Sequence, residues 1–289
     1  MISPFSCSRS QSAILAISLS LTLHSIASAD ESAPVKSNAP PSFVDLRPEF
    51  TELGLRQRQQ GARGTCSVFT MVGALEFAAA RARGHGEMFS IDFLNWAANQ
   101  HRPPADGGFF SDMWKGFADY GICTEEQMPY AAKFYPNRKP DDAAVTVAKT
   151  RLESGLTRHW IKEWNVKTGL TDEQFVAIKR TLGQGWPVCG GFRWPKRPQW
   201  KNEILQMCAA EDVFDGHSVL IVGYRDDPAA DGGGTLIFRN SNRGSDGFMP
   251  YAYAEAYMND ALWISTSLKP GAPDNSPSIS KDASPPQGE

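Results

Sequence analysis

In the stretch Gln60-Gly61-Ala62-Arg63-Gly64-Thr65-Cys66-Ser67, a cysteine stands where loop residues give way to a helix-compatible run, Ser67 to Ala82. A sulfur at a helix N-terminus lies beside unpaired backbone N–H groups and the positive end of the helix dipole, and both favour thiolate over thiol. The thiolate is the form that attacks carbonyl carbon. Upstream, Gln60 carries an amide whose N–H suits a developing oxyanion. Far downstream, Asp215-Gly216-His217-Ser218-Val219 supplies an imidazole base and Arg239-Asn240-Ser241 an amide to orient it. Each group alone has an ordinary reading. A cysteine in an alanine-rich helix is small apolar filler, a histidine before an apolar strand is a hydrogen-bonded structural residue, Asn240 beside Ser241 makes a turn, and Gln60 is a solvated loop residue. Together they offer nucleophile, base, orienter and oxyanion donor.

Positioning these groups requires two kinds of structure. From Cys66 to about Tyr130 the apolar residues recur at helical spacing: Val68, Met71, Val72, Leu75, Phe77 and Ala78 form one helix. A second helix begins after Ser90 as N-cap, and a third runs from Ser111 to its close at Gly121. The later half turns to strands: 186–192, 218–224 and 235–239 are short, rich in β-formers and bounded by Gly or Pro. Before them, Thr171-Asp172-Glu173-Gln174 has the capping-box pattern and opens a helix ending near Gly183. A helical lobe followed by a sheet lobe, with the chemistry at their junction, fits this order.

At 289 residues the chain can bury a sizeable core, and 41% hydrophobic with 21% charged residues is an ordinary globular balance. A net charge of −3 gives no reason to expect nucleic acid or an anionic membrane surface as partner. Residues 1–29 read as a signal peptide: Arg9 in the n-region, the apolar run Ala13 to Leu23, and Ala27-Ser28-Ala29 as the cleavage rule. Cleavage makes Asp30 the new N-terminus and the protein exported, secreted or periplasmic; an uncleaved anchor is the alternative, although the run is short for a span. Residues 30–42 read as a flexible lead-in, 43–268 as the folded body, and 269–289, rich in Pro, Ser, Asp and Gly, as a disordered tail. The mature chain keeps Cys66, Cys123, Cys189 and Cys208. Export permits disulfides, and with Cys66 free, Cys189 with Cys208 is the pair favoured. No Cys/His clustering supports a zinc site.

The ordered set resembles the papain-like cysteine peptidases. The resemblance begins at Val44-Asp45-Leu46-Arg47 and passes through Gln60-Gly61, Gly64-Thr65-Cys66, Asp106-Gly107-Gly108, Tyr120-Gly121-Ile122 and Met128-Pro129-Tyr130. It ends with Gly216-His217-Ser218-Val219, Val222-Gly223-Tyr224 and Arg239-Asn240-Ser241. It spans nearly all of 43–264. His217 follows Cys66 by roughly 150 residues, which suits the family, whereas Asn240 lies somewhat further on than usual. The excess falls in Arg225 to Gly234, read as an extended hairpin loop.

The resemblance implies an α+β, two-lobed papain-like fold. An N-terminal helical lobe faces a C-terminal antiparallel β-sheet or barrel lobe, with the active site in the cleft between them. It implies Cys66 as nucleophile, His217 as base and then acid, and Asn240 as orienter. Gln60 and the Cys66 backbone N–H form the oxyanion hole, and Gly107 and Gly108 leave room for a substrate backbone. The reaction implied is peptide-bond hydrolysis through a thioester acyl-enzyme, with no cofactor or metal. The partners are a peptide or protein substrate for a monomer, with no stable membrane insertion after cleavage.

Four departures qualify this. Arg63 and Ala105 occupy positions where the family usually has a pair of cysteines, which leaves packing to hold the nucleophile loop. Ser67 replaces the aromatic that follows the catalytic cysteine. Asn242 replaces the tryptophan that, in the family, shields the His–Asn hydrogen bond and floors the leaving-group side of the cleft, so another tryptophan must cover that bond or it is more weakly held. A long inhibitory propeptide is not expected between 29 and 43. A catalytically silent peptide-binding module, or a Cys–His amidase acting on a non-protein amide, are the alternative functions.

Overall fold

A computed structural model of the chain describes residues 40–267; the expected signal peptide, most of the lead-in and the tail at 269–289 lie outside them. The first strand, β1 (Phe43–Asp45), is followed by α1 (Arg47–Glu52) and then by α2 (Cys66–Arg83), whose first residue is the candidate nucleophile. Helix α2 is buried on nearly every face, as expected of a helix apolar all round. Gly73 lets it approach the sheet closely, since a Cβ there would meet Leu220 at 3.0 Å. Packed around it are α3 (Ile91–Ala98) and α4 (Phe110–Tyr120), with α5 (Asp142–Thr150) beside α4. Ser90 caps α3 by accepting from the Phe93 N–H, and Gly121 closes α4, both as the sequence suggests.

The sheet half comprises β2 (Leu156–Lys162), β3 (Val188–Pro195), β4 (Trp200–Lys201), β5 (Ile204–Leu205), β6 (Val213–Asp226), β7 (Gly234–Asn240), β8 (Ser245–Pro250) and β9 (Met258–Thr266). Helix α6 (Asp172–Gly183) lies between β2 and β3, and α7 (Tyr251–Tyr257) between β8 and β9. Thr171 and Gln174 form the expected capping box of α6. Strand order is β2-β9-β3-β6-β7-β8-β5-β4, antiparallel except for one parallel bridge between β5 and β8, and β1 pairs with β6. The sheet is open and does not close into a barrel. Its far edge, β5 and β4, has only two residues per strand, too few to carry the ladder round.

Long β6 is the central element. It pairs with β3 along one edge, with β1 continuing that edge, and with β7 along the other. The β6–β7 connection, 227–233, is the extended loop expected before the Asn240 strand. Pro41 and Ser42, placed by the sequence in the flexible lead-in, are tied to β6 through Tyr224 Oη to Pro41 O (2.6 Å) and Asp226 N to Ser42 O (2.8 Å). Cys189 and Cys208 are both free thiols, so the favoured disulfide is not formed. Cys189 is buried on β3 with its sulfur turned to Thr70 O of α2, whereas Cys208 follows β5 and is partly exposed. Among the described residues no helix is long and apolar enough to cross a membrane.

The loop before α2 is held by Arg63, not by apolar packing alone. Its guanidinium bridges Asp92 on α3 (2.6 Å) and Asp106 (2.8 Å), and donates to Ala131 O (2.9 Å). It also lies 4.4 Å from the Tyr130 ring centroid. At 4% side-chain exposure the charge is desolvated, and Asp92 is nearly as buried at 6%. Where the resemblance leads one to expect two cysteines, an arginine fork thus joins the same loop to the Ala105–Asp106 segment. Arg63→Met leaves Asp92 with a reduced share of its counter-charge and is expected to cost about 3–5 kcal/mol in urea unfolding. Arg63→Lys should not recover it, because an ammonium lacks the planar fork that spans two carboxylates. A loss below about 1 kcal/mol, the level of a surface pair, would show that the loop is held by something else.

Candidate active site

Cys66 sits at the N-terminus of α2, 9% exposed, with its Sγ 3.9 Å from the Gly216 carbonyl oxygen. His217 follows Gly216 on β6, and a β-bulge sets its orientation. Phe192 of β3 pairs with His217 and Arg193 with Asp215, so Gly216, at φ +129°, is the extra residue. Bulges of this kind re-aim a neighbouring side chain. On the other edge of β3 the register skips Asn259. The sheet is thus opened on both sides of Phe192, next to the thiol.

His217 Nε2 is 3.0 Å from Asn240 Oδ1, at the end of β7. The same oxygen accepts the Asn242 backbone N–H at 3.0 Å, which fixes which end of the amide faces the ring. An amide oxygen only accepts, so Nε2 carries the proton and Nδ1 keeps the lone pair. Trp194 of β3 packs edge-on against the imidazole, centroids 4.5 Å apart at 63°. Asn242 therefore contributes through its backbone, and an indole from another strand covers the ring.

Gln60 is fixed on all sides. Ser241 Oγ donates to its Oε1 (2.8 Å), its Nε2 donates to Arg63 O (2.7 Å), and its backbone N–H bonds Ser241 O (2.9 Å). One amide hydrogen remains after the bond to Arg63. Tyr130 Oη ties this loop together by donating to Gln60 O (2.9 Å) and meeting Thr65 Oγ1 at 2.7 Å.

The two glycines have different surroundings. A Cβ on Gly107 would lie 2.1 Å from Gly64 O, and its φ is +91°, so only glycine lets this segment pass the nucleophile loop. Its N–H bonds Asn95 Oδ1, and its carbonyl accepts from Arg102. Gly108 lines the cavity beside the thiol, and its N–H donates to Ser67 Oγ at 3.2 Å. Ser67, in place of an aromatic, thus pins this segment to α2.

Cavities flank the thiol on two sides. One, of about 260 Å³, is lined by Gly108, Phe109, Trp164, Phe192 and the buried Asp260 together with Cys66 and His217. The other, about 380 Å³, contains Gln60, Asn240, Trp194, Trp200 and Arg243 with the same pair. Burial pushes the Cys66 thiol up against the opposing pull of Ser218 and neighbouring N–H groups. Burial likewise lowers His217 to about 4, although its bond to Asn240 raises it. The helix N-terminus alone suggests a thiolate; in the folded protein desolvation opposes it, disfavouring the charged form of each group taken singly.

The structure therefore brings Cys66, His217, Asn240, Gln60 and Gly108 to one place, with Gly107 just beneath. Ser241, Tyr130 and Trp194 belong to the same assembly but carry no spacing signal that singles them out. Among the described residues no cluster of three or more His, Cys, Asp or Glu side chains is arranged to hold a metal ion.

Comparison with known proteins bears on the family and the fold. Residues 40–262 match the family described as papain family cysteine protease. The oryzain gamma chain of Oryza sativa subsp. japonica is 27% identical over 173 residues, 58% of this chain, and the match spans only 43% of that relative's length. Xylellain, a cysteine protease from Xylella fastidiosa, superposes with a TM-score of 0.63 at 21% identity, over 79% of this chain and 87% of that one. A Carica candamarcensis cysteine protease in complex with E-64 gives 0.54 at 17% identity, covering 78% and 99%. At these identities the solved structures speak to fold alone, while the family match extends over most of the sequence. The chain belongs to the papain family of cysteine proteases.

Proposed function

We propose that the protein is an exported cysteine peptidase that cleaves peptide bonds through a Cys66–His217–Asn240 site. The observation that carries this reading is the Asn240 amide oxygen. Held by the Asn242 N–H, it accepts a hydrogen bond from the Nε2–H of His217 and leaves the Nδ1 lone pair for the thiol. In the proposed sequence the Cys66 S–H proton passes to Nδ1 as sulfur bonds to the substrate carbonyl carbon. The carbonyl electron pair moves onto oxygen, where the Cys66 N–H and the remaining Gln60 amide hydrogen receive it. Collapse breaks the C–N bond, the imidazolium returns its proton to the departing amine, and a thioester remains. Water, deprotonated by His217, then releases the acid and restores the thiol. No step requires a metal or cofactor.

The acyl half of the substrate lies along Gly108 and the cavity bearing Asp260, and the departing half lies over Trp194 toward Asn242. Gly107 supports that wall from below. Export rests on the leader at 1–29, with 30–42 as lead-in, 43–268 as the peptidase domain and 269–289 as a tail. A silent, peptide-binding version of the fold is the second reading, favoured by the buried and raised thiol.

Two tests separate these readings, and a third checks the environment of His217. A peptidyl epoxysuccinyl probe should add once to the reduced protein and not to Cys66→Ala, read by intact mass; a reduced, folded protein that takes no probe favours the silent reading. Turnover should fall by more than about 10⁴-fold in Cys66→Ala and His217→Ala. Asn240→Ala and Trp194→Ala, which misplace the base without removing it, should lose on the order of 10²-fold in kcat. Trp194→Phe should recover most of its share.

The third concerns pH. His217 is depressed to about 4 in the fold against an ordinary 6.5, so the unfolded chain binds the proton first as pH falls. Its contribution is fully present above pH 6.5 and disappears toward pH 4, a loss of about 3 kcal/mol. Stability of His217→Gln should lack that component of the slope, and parallel curves for the two proteins would remove His217 as its source.

A further inference from the structure

Building on the peptidase reading, we propose that the cavity beyond Trp194 is a subsite for a carboxylate on the departing half of the substrate. The floor of this cavity is aromatic, with Trp194, Trp200 and the exposed Phe214 on its wall. Its charged residues are Arg243 and Lys196, and among the described residues no Asp or Glu lines it. The cavity on the acyl side has the opposite composition, carrying Asp260 and, among the described residues, no Lys or Arg.

Local structure places both cations. Residues 241–244 join β7 to β8 in a tight turn, with Gly244 at φ +64° and its N–H on Asn240 O (2.9 Å). Arg243 therefore sits three residues from the amide that orients His217. Its guanidinium lies 4.5 Å from the Trp200 ring centroid. Trp200 is in turn held by the β4–β5 hairpin, whose two turn residues, Asn202 and Glu203, both have positive φ. A guanidinium resting on a ring keeps its in-plane N–H groups for an acceptor. Lys196 is anchored through its ammonium to the Glu211 backbone carbonyl at 2.6 Å, a neutral acceptor, and no carboxylate pairs with it among the described residues. Arg58 and Arg63, by contrast, each hold carboxylates within the fold, whereas Arg243 has none within ion-pair distance among the described residues.

A cavity of about 380 Å³ with an aromatic floor and two cations fits a short peptide segment ending in, or bearing, a carboxylate. That group is either a Glu or Asp side chain on the first residues of the departing half or the free C-terminus of the substrate. Both present the same two oxygens to a planar fork.

Paired peptides distinguish the sources: Glu against Gln in the departing half of an amidated peptide, and a free acid against an amide two residues after the scissile bond. The carboxylate member of at least one pair should have a kcat/KM about fivefold higher, expressed in KM, as expected for a solvent-accessible ion pair of about 1 kcal/mol. The double variant Arg243→Gln/Lys196→Gln should abolish the preference, read as the ratio of the two members within each pair. The pair showing the preference identifies side chain or terminus. Equal rates within both pairs in the parent protein, or a preference that survives in the double variant, would overturn the subsite while leaving the peptidase reading standing. Calorimetric binding of the same peptides to Cys66→Ala supplies the readout when nothing is turned over. A carboxylate preference lost on Arg243→Gln/Lys196→Gln supports the subsite even if the peptidase reading fails, and equal affinities overturn it.

Discussion

The desolvated contact of Arg63 with Asp92 and Asp106 is the constraint on which the site depends. The loop from Gln60 to Thr65 has no regular secondary structure of its own, yet it must present Gln60 and the first turn of α2 in a fixed relation to β6 and β7. The guanidinium ties this loop simultaneously to α3, to the segment before Gly107 and to the Ala131 carbonyl. A fork of this kind is directional as well as attractive, which suits it to fixing a loop. It also works without oxidation, unlike a pair of cysteines. The Ala105 carbonyl, at the other position of the absent pair, is held by Asn95 and Asn99.

With the loop fixed, the remaining geometry follows from the sheet. Bulges at Gly216 and Asn259 interrupt the ladder on both sides of β3, and the space they open is where the thiol and imidazole face the cavity. The same burial that makes the position rigid raises the thiol and lowers the imidazole. Low solvation penalises each charge singly, but it strengthens the attraction between opposite charges formed side by side. Burial therefore acts against each lone charge and in favour of the pair, and the two effects oppose one another at this site.

Aromatic packing supplies what the turn after Asn240 does not. Trp194 contacts His217 and also Phe192, Trp200, Phe238 and Tyr253, so one indole links the base to the core of the sheet half. Because Asn242 is not a large aromatic, the cavity extends past the imidazole to Trp200 and Arg243. A tryptophan on β3 in place of one at the turn thus alters the shape of the cavity past the imidazole as well as the cover over the ring.

The sequence by itself marked out the candidate residues and several of the elements that carry them. Cys66 at a helix start, Ser90 and Thr171 as caps, Gly121 as a stop and the β-rich runs around His217 and Asn240 are local signals, set by backbone propensity and side-chain-to-backbone hydrogen bonds over a few residues. Strand β9 was not legible, because its buried Asn259 and Asp260 break the apolar pattern that marks a central strand. Helix α7, beginning right after Pro250, was hidden by its tyrosines. Only the tertiary structure decided that Arg63 would replace a cross-link, that Cys189 and Cys208 would stay apart, that Trp194 would cover His217, and that burial would raise the thiol and lower the imidazole. Each of these depends on groups distant in sequence meeting in a medium from which water is excluded. Burial and long-range contact are properties of the packed chain, and no local spacing encodes them.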